Sequence, residues 1–230
     1  MFHQHTCLSI LVAAAFSLLW PCSSMAQRSK KAAPKVEADT LPTLRGMELS
    51  VDVVGPVQRA VGGYGQYEAA LRANLKDKYF PIIELGYGSA NHEDDVTEIR
   101  YKTSAPYGRI GVDFNILKNK HDLYRVYVGG RYAFTSFKYD VQVADGITDP
   151  VWNGQAAYNV SDVSCNYHWI EALGGIQARI WGPLSLGWSV RYKKRIAQKH
   201  GQAGEPWYVP GYGKRGASRL GATFNIIYSF

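Results

Sequence analysis

No apolar run in this sequence is long enough to cross a membrane as a helix. The longest, Leu8–Trp20, is too short to span comfortably and lies at the extreme N-terminus. With a mean hydropathy of −0.22, a helical membrane protein is excluded. Cysteine is nearly absent: Cys7, Cys22 and Cys165 are the whole complement. Two of these fall in a segment read below as removed, which leaves Cys165 and excludes both an internal disulfide and a thiol metal cluster. Acidic residues are also in deficit, 19 against 26 Lys and Arg, for a net charge of +7. A basic balance of that size can indicate nucleic acid, but an exported chain rarely meets any. Basic loops facing acidic lipid sugars and phosphates fit better.

The evidence for export is at the N-terminus. Leu8–Trp20 is followed by Pro21-Cys22-Ser23-Ser24-Met25-Ala26 and then a basic polar stretch, the layout of a secretory signal over residues 1–26. Small residues at Ser24 and Ala26 favour cleavage before Gln27. The leucine of Leu19-Trp20-Pro21-Cys22 suggests a lipobox, but Pro21 beside the cysteine fits one poorly. Residues 27–43 are polar and contain Pro34 and Pro42, which suggests a flexible periplasmic leader. Within it, Asp39-Thr40-Leu41 resembles the Asp-Thr/Ser-apolar acceptor of Bacteroidota O-glycosylation, with Thr40 the acceptor.

From residue 44 onward, alternation of apolar and polar residues recurs eight times. Met47, Leu49, Val51 and Val53 oppose Glu48, Ser50 and Asp52. Tyr67 to Leu75 sets alternate apolar residues against Glu68, Arg72 and Asn74. Ile83, Leu85 and Tyr87 oppose Glu84, and Ile110 to Ile116 opposes Arg109, Asp113 and Asn115. Tyr124 to Phe134 opposes Arg125, Tyr127, Arg131 and Thr135. Ile170 to Ile180 opposes Glu171, Gln177 and Arg179. Leu184 to Tyr192 opposes Ser185, Ser189, Arg191 and Lys193. Finally, Leu220, Ala222, Phe224, Ile226, Tyr228 and Phe230 share a face opposite Arg219, Gly221, Thr223, Asn225 and Ser229. No apolar-face position carries a charge, although 20% of the chain is charged. Roughly eight charges among some forty such positions would be expected from average usage. Lipid contact explains their absence, because a charge at the bilayer midplane of a barrel costs about 2–4 kcal/mol.

Connections alternate between short (76–78, 117–122, 181–183) and long (55–63, 89–106, 140–166, 197–216), the pattern of periplasmic turns and external loops. Tyr79, Phe80, Tyr124, Trp181, Tyr228 and Phe230 sit beside the short turns. Tyr64, Tyr87, Tyr107, Tyr132, Trp169 and Tyr192 sit toward the long loops, so that two aromatic girdles are expected. A soluble lipocalin-like barrel would instead need a polar exterior.

With the apolar face outward, the lumen receives Glu48, Asp52, Glu68, Glu84, Asp113 and Glu171 together with Arg72, Arg109, Arg125, Arg131, Arg179, Arg191, Lys193 and Arg219. Eight strands enclose only enough space for side chains, so these charges are expected to pair and plug the cylinder. A search for chemistry finds His168, Glu171 and Ser189 near one rim, but parity points His168 away from Glu171 and the triad does not assemble. His92 beside Glu93, Asp94 and Asp95 reads as a solvated acidic loop. Gly211-Tyr-Gly213-Lys-Arg-Gly216 neither follows a parallel strand nor opens a helix, so its glycine pattern carries no nucleotide meaning. Asn159-Val-Ser161 matches a glycosylation sequon by chance. The most distinctive stretch is 205–215, in which Pro206 and Pro210 stiffen a loop carrying Trp207, Tyr208 and Tyr212. These rings either offer contact area to an external partner or fold down over the barrel mouth.

The signal, polar leader, eight alternating segments and final Phe230 together resemble the small OmpA/OmpX-type outer-membrane barrels. The Tyr/Gly-rich style and the Trp-Tyr-Val-Pro-Gly loop are similar to Bacteroidota outer-membrane barrel proteins of unknown function. The resemblance covers 44–230 and implies an all-β, eight-stranded antiparallel up-and-down transmembrane β-barrel with both termini periplasmic. It implies that the barrel-assembly machinery reads Tyr228 and Phe230, and that outer-membrane lipid and lipopolysaccharide surround the barrel. The expected role is non-enzymatic, structural or interactive, one form being an accessory subunit of an envelope complex, with no cofactor and no metal. The alternatives are a lipid A- or phospholipid-modifying barrel enzyme and a narrow ion-conducting channel.

Overall fold

The computed structural model describes residues 42–95, 97–148, 155–201 and 204–230. The signal peptide over 1–26, the leader as far as residue 41 and the Thr40 acceptor lie outside them. Among the described residues, ten strands and one helix follow one another: β1 (Leu44–Asp52), α1 (Val54–Val61), β2 (Tyr64–Leu75), β3 (Tyr79–Glu93), β4 (Ile99–Asn115), β5 (Tyr124–Thr148), β6 (Gln155–Trp181), β7 (Leu184–His200), a small hairpin β8 (Tyr208–Val209) and β9 (Gly213–Lys214), and β10 (Ser218–Ser229). Eight strands close a barrel in the order β1, β10, β7, β6, β5, β4, β3, β2, each antiparallel to its neighbours, with β8–β9 as a separate two-stranded piece. Closure leaves no sheet edge along the paired length.

The eight expected strands are therefore present, and alternation decides which way their side chains point. Ile83, Ile110, Tyr132, Ile170, Trp188 and Ile226 are exposed on the outside, while Glu84, Arg109, Arg131, Glu171, Ser189 and Asn225 are buried inside. The outward apolar belt runs from Phe114 to Pro106 on β4, Tyr124 to Phe134 on β5 and Ile180 to Ile170 on β6. That is about the 9–11 residues a tilted strand needs to cross a bilayer. One belt edge carries Tyr79, Tyr124, Trp181, Tyr228 and Phe230, all exposed. The β2–β3 turn at this end places Lys76 and Asp77 at φ 55° and 53°, the left-handed pair a short hairpin favours, and the Asn74 side chain steadies it by accepting from Asp77 N at 2.8 Å. The chain enters β1 and leaves β10 at this same mouth.

The other end differs from the sequence reading in three ways. First, the long connections 89–106 and 140–166 are largely strand. β5 and β6 run for 25 and 27 residues, more than twice a crossing, and project beyond the belt. Second, the stretch 55–63, expected as loop, holds α1. Asp52, expected in the lumen charge network, instead accepts from the first helix amides, Gly55 N at 2.8 Å and Val54 N at 3.3 Å. Third, four of the expected rim aromatics point inward: Phe80, Tyr107 and Trp169 are buried, and Tyr64 is half-buried against Trp207.

Polarity inverts where the strands leave the belt. Outward positions become Ser104, Lys102 and Arg100 on β4 and Ser136 and Lys138 on β5, all exposed, while the inside becomes Tyr101, Ala105, Phe137, Tyr139, Cys165, Tyr167 and Trp169. The belt has an apolar outside over a charged inside, and the projection has a polar outside over an aromatic core.

Candidate functional site

The lumen is the candidate site. Its centre is Glu84 on β3, whose Oε2 accepts from Arg109 Nη1 at 3.0 Å and Arg191 Nη1 at 2.7 Å, and whose Oε1 accepts from Arg131 Nε at 3.0 Å. From there an alternating chain of charges runs toward the mouth where β1 begins and β10 ends. Arg131 Nη2 lies 2.7 Å from Asp113, Arg72 Nη2 lies 3.1 Å from the other Asp113 oxygen, and Arg72 and Arg125 both donate to Glu48 at 3.1 and 2.8 Å. Gln177 accepts from Arg72 and Arg125. In the other direction Arg109 pairs with Glu68 and lies 3.0 Å from Glu171, whose carboxylate also accepts from Trp169 Nε1 at 2.7 Å. Rings support the cations: Phe80 lies 3.8 Å beneath the Arg125 guanidinium and Tyr107 4.8 Å beneath that of Arg109.

The structure brings together Glu48, Glu68, Arg72, Glu84, Arg109, Asp113, Arg125, Arg131, Glu171 and Arg191 among the residues singled out from sequence. Three others lie apart. Asp52 caps α1, Arg179 is exposed at one mouth, and half-buried Arg219 lies at the other; neither arginine joins an ion pair among the described residues. The reason is depth, because alternation gives facing but not height, and both arginines sit near strand ends. Lys193, the other lumen base, reaches Gly211 O at 2.7 Å and lies 4.0 Å from Glu171.

The loop 205–215 folds into the barrel mouth. Pro206, Tyr208, Val209 and Tyr212 are buried, so of the two placements open in the sequence Tyr208 and Tyr212 take the one over the barrel mouth rather than the external-contact one. Trp207 stacks on His92 with ring centroids 4.3 Å apart and meets Tyr64 edge-on. The loop is held from below and from the walls. Arg109 Nη2 and Lys193 Nζ donate to Gly211 O at 2.8 and 2.7 Å, Tyr101 OH to Tyr208 O at 2.7 Å, Tyr139 OH to Gly204 O at 2.7 Å, and Tyr208 OH to Gly65 O at 3.1 Å. Gly211, at φ +80°, is required here, because a Cβ would lie 2.6 Å from the Tyr107 ring. Burial raises the Tyr101 and Tyr208 phenols well above their ordinary acidity range, so both remain donors at any physiological pH. The lattice therefore fills the lumen, and the loop covers the mouth opposite the one where β1 begins and β10 ends. Polar cavities open at both mouths, ≈ 170 Å³ around Arg45, Asp77, His121 and Arg179 at one and ≈ 280 Å³ beside the loop at the other.

Cys165 reports on this seal. It is buried in the aromatic core, and burial, with the Glu205 charge adding to it, pushes its thiol up to about 11. Tyr208→Ala removes a ring from that core and a hydrogen bond to Gly65. Maleimide labelling of Cys165, followed by mass, is expected to speed up roughly tenfold or more as the thiol returns toward its ordinary value near 8.5. An unchanged labelling rate would show that the loop is not what shields it.

The residues considered for catalysis do not converge. His168 faces outward, with its Nδ1 2.8 Å from Tyr132 OH, whereas Ser189 faces inward against Thr223 at 2.8 Å. In the acidic turn, Glu93 pairs with Arg100 at 3.1 Å and Asp94 accepts from Thr97 N at 2.9 Å. Among the described residues no three His, Cys, Asp or Glu side chains gather in a form that could hold a metal.

Residues 7–230 match the family described as "Domain of unknown function (DUF6048)". The chain belongs to the DUF6048 family. No curated protein matches it. Among solved structures, this DUF6048 chain is similar to a major outer membrane protein from Thermus thermophilus, at 15% identity and a TM-score of 0.47, over 81% of this chain and 100% of that one. The geometry above belongs to the DUF6048 chain itself and does not rest on that likeness.

Proposed function

We propose that this chain is a non-enzymatic β-barrel of the bacterial outer membrane, of the small OmpA/OmpX-type architecture, exported by a cleaved signal over 1–26. Its lumen is closed to solute flow and its role is structural or interactive. The observation that carries this reading is the uncharged outward belt, one bilayer tall, wrapped around a lumen filled with paired charges. A soluble barrel has no use for an exterior of exposed Ile, Leu, Val and Tyr, which monomeric soluble proteins avoid as a contiguous patch. The inside, with its Arg and Glu groups, is what a dry protein core tolerates only with such pairing.

In this orientation the mouth holding both chain ends is periplasmic, and the β3–β7 projection stands outside the cell. Its polar exterior, including Lys102, Lys138 and Asn166, is then the surface offered to extracellular partners. Tyr228 and Phe230 close the periplasmic rim. The Phe230 main chain exchanges hydrogen bonds with Met47 at 2.8 and 2.9 Å, so the strand that the assembly machinery would read is also the one that closes the ring.

Closure is testable in planar bilayers. Protein whose insertion is confirmed by a mobility difference between unheated and boiled samples on a denaturing gel should show no discrete conductance. Regular current steps in most insertions would contradict the plugged lumen and favour the channel reading.

A further inference from the structure

Beside the belt, the ring of strands opens along the β1–β10 seam. Along the β1–β10 seam the last backbone bond runs from Val53 N to Phe224 O at 2.9 Å, whereas β10 continues along β7 as far as Ser218. Even-numbered main-chain groups of β10 face β1, as the bonds at Phe224 and Phe230 show. Those of Ala222 and Leu220 therefore face past the end of β1, where no hydrogen bond meets them among the described residues. The opposite side of this gap is α1, pressed against β2 so closely that a Cβ on Gly55 would fall 2.2 Å from Gln66 O. Behind the gap lies the ≈ 280 Å³ cavity, lined by Arg191, Lys193, Lys214 and Arg219 and by no carboxylate.

The height of this opening matters. Leu220 pairs with Tyr192, so the gap lies at the outer edge of the apolar belt. Val54, Val57 and Val61 on α1 are exposed at helical spacing, as on a helix lying in a membrane interface. An unpaired strand edge is not tolerated against hydrocarbon but is tolerated where it lines a polar cavity. Arg191 is paired with Glu84 and Lys193 is bonded to Gly211 O, but the cavity still holds an unmet donor and an unpaired charge. Arg191 is buried with its Nε unbonded, and Arg219 joins no ion pair among the described residues. Lys214 lies over the Tyr64 and Trp207 rings, at 5.1 and 5.0 Å. Arginine forks and lysines converging on a partly dry pocket match the geometry of a phosphate group.

We infer that this lateral opening binds the phosphorylated headgroup of an outer-leaflet lipid, whose acyl chains remain outside the barrel against Leu220 and the α1 valines. This rests on the membrane reading given above. The phosphate completes the pairing of the cavity's cations and covers the open edge of β10. No bond is made or broken in the lipid.

The test is calorimetric titration of the purified barrel, in zwitterionic detergent, with dioctanoyl phosphatidic acid, dioctanoylglycerol and inorganic phosphate. Phosphatidic acid should bind at one site. Dioctanoylglycerol should not bind, and inorganic phosphate should bind at least about 10-fold more weakly for want of the apolar contacts. The double variant Lys214→Gln/Arg219→Gln should weaken phosphatidic acid about 10-fold or more. Arg179→Gln, at the other mouth, should leave binding unchanged. Equal affinity for phosphate and phosphatidic acid would overturn the lipid assignment, and wild-type affinity in the double variant, or no binding at all, would overturn the site. A non-binding protein that still fractionates with outer membranes fails this inference alone. Recovery of the protein from the soluble periplasm would instead overturn the membrane reading beneath it.

Discussion

Glu84→Leu is expected to lower the unfolding free energy of the folded barrel by about 3–5 kcal/mol, the usual consequence of removing one partner from a buried ionic cluster. Glu84 is 1% exposed and accepts from three guanidiniums, those of Arg109, Arg131 and Arg191. Leucine leaves all three, each buried, without their shared counter-charge. The damage should also spread. Arg109 holds Gly211 O from below, so an arginine driven off its carboxylate loosens the seal. Urea unfolding of the protein refolded into lipid vesicles measures the effect. Arg179→Gln, at an exposed position without an ion pair, should stay within about 0.5 kcal/mol of wild type. A loss below about 1 kcal/mol in Glu84→Leu would mean that Glu68 and Glu171 absorb the three cations and that Glu84 is not the centre of the lattice.

The cluster's net contribution need not be favourable. Desolvating this many charges costs several kcal/mol per ion, and a well-packed apolar filling could be as stable. What the ionic filling does supply is direction: each Arg fork fixes the height of its strand relative to its neighbours. The Glu84–Arg109 pair spans registered partners on β3 and β4, and the Arg131–Glu171 level spans β5 and β6. A one-residue slip would turn these side chains to the apolar outer face, where, in the proposed membrane setting, each arginine would cost about 2–4 kcal/mol at the midplane.

Much of this was legible in the sequence, because a period of two and a charge-free face are properties of each strand taken alone. The inward placement of Glu48, Glu68, Arg72, Glu84, Arg109, Asp113, Arg125, Arg131, Glu171 and Arg191 follows from alternation and needs no tertiary information. Alternation is blind to two things. It does not mark where the surroundings change, so 89–106 and 140–166 read as loop: their apolar residues Tyr101, Ala105 and Cys165 lie on the face that carries charges below. The signal was present, since Tyr101-Lys102-Thr103-Ser104 and Phe137-Lys138-Tyr139 still alternate, with the aromatic phase reversed. Nor does alternation give height, so Arg179 and Arg219 were placed with the lattice although each sits at a mouth. α1 was missed because eight residues with Gly55 and Pro56 in the first turn carry little helical propensity; the Asp52 carboxylate and the β2 wall hold it. The fate of Trp207, Tyr208 and Tyr212 was open in the sequence, since rings that cap a barrel and rings that greet a partner share one composition.

The central claim is that the belt faces lipid, and Ile110→Arg tests it most directly. Ile110 is 56% exposed, stands midway along the β4 belt, and pairs with Ile83 on one side and Tyr132 on the other. Ser136 faces the same way on β5, just beyond the belt. Unfolding measured in lipid vesicles should show a loss of about 2–4 kcal/mol for Ile110→Arg and about 0–1 kcal/mol for Ser136→Arg, because the cost of a charge falls with distance from the midplane. Equal, small effects at the two positions would mean that Ile110 faces water, and the barrel would then not be a membrane protein.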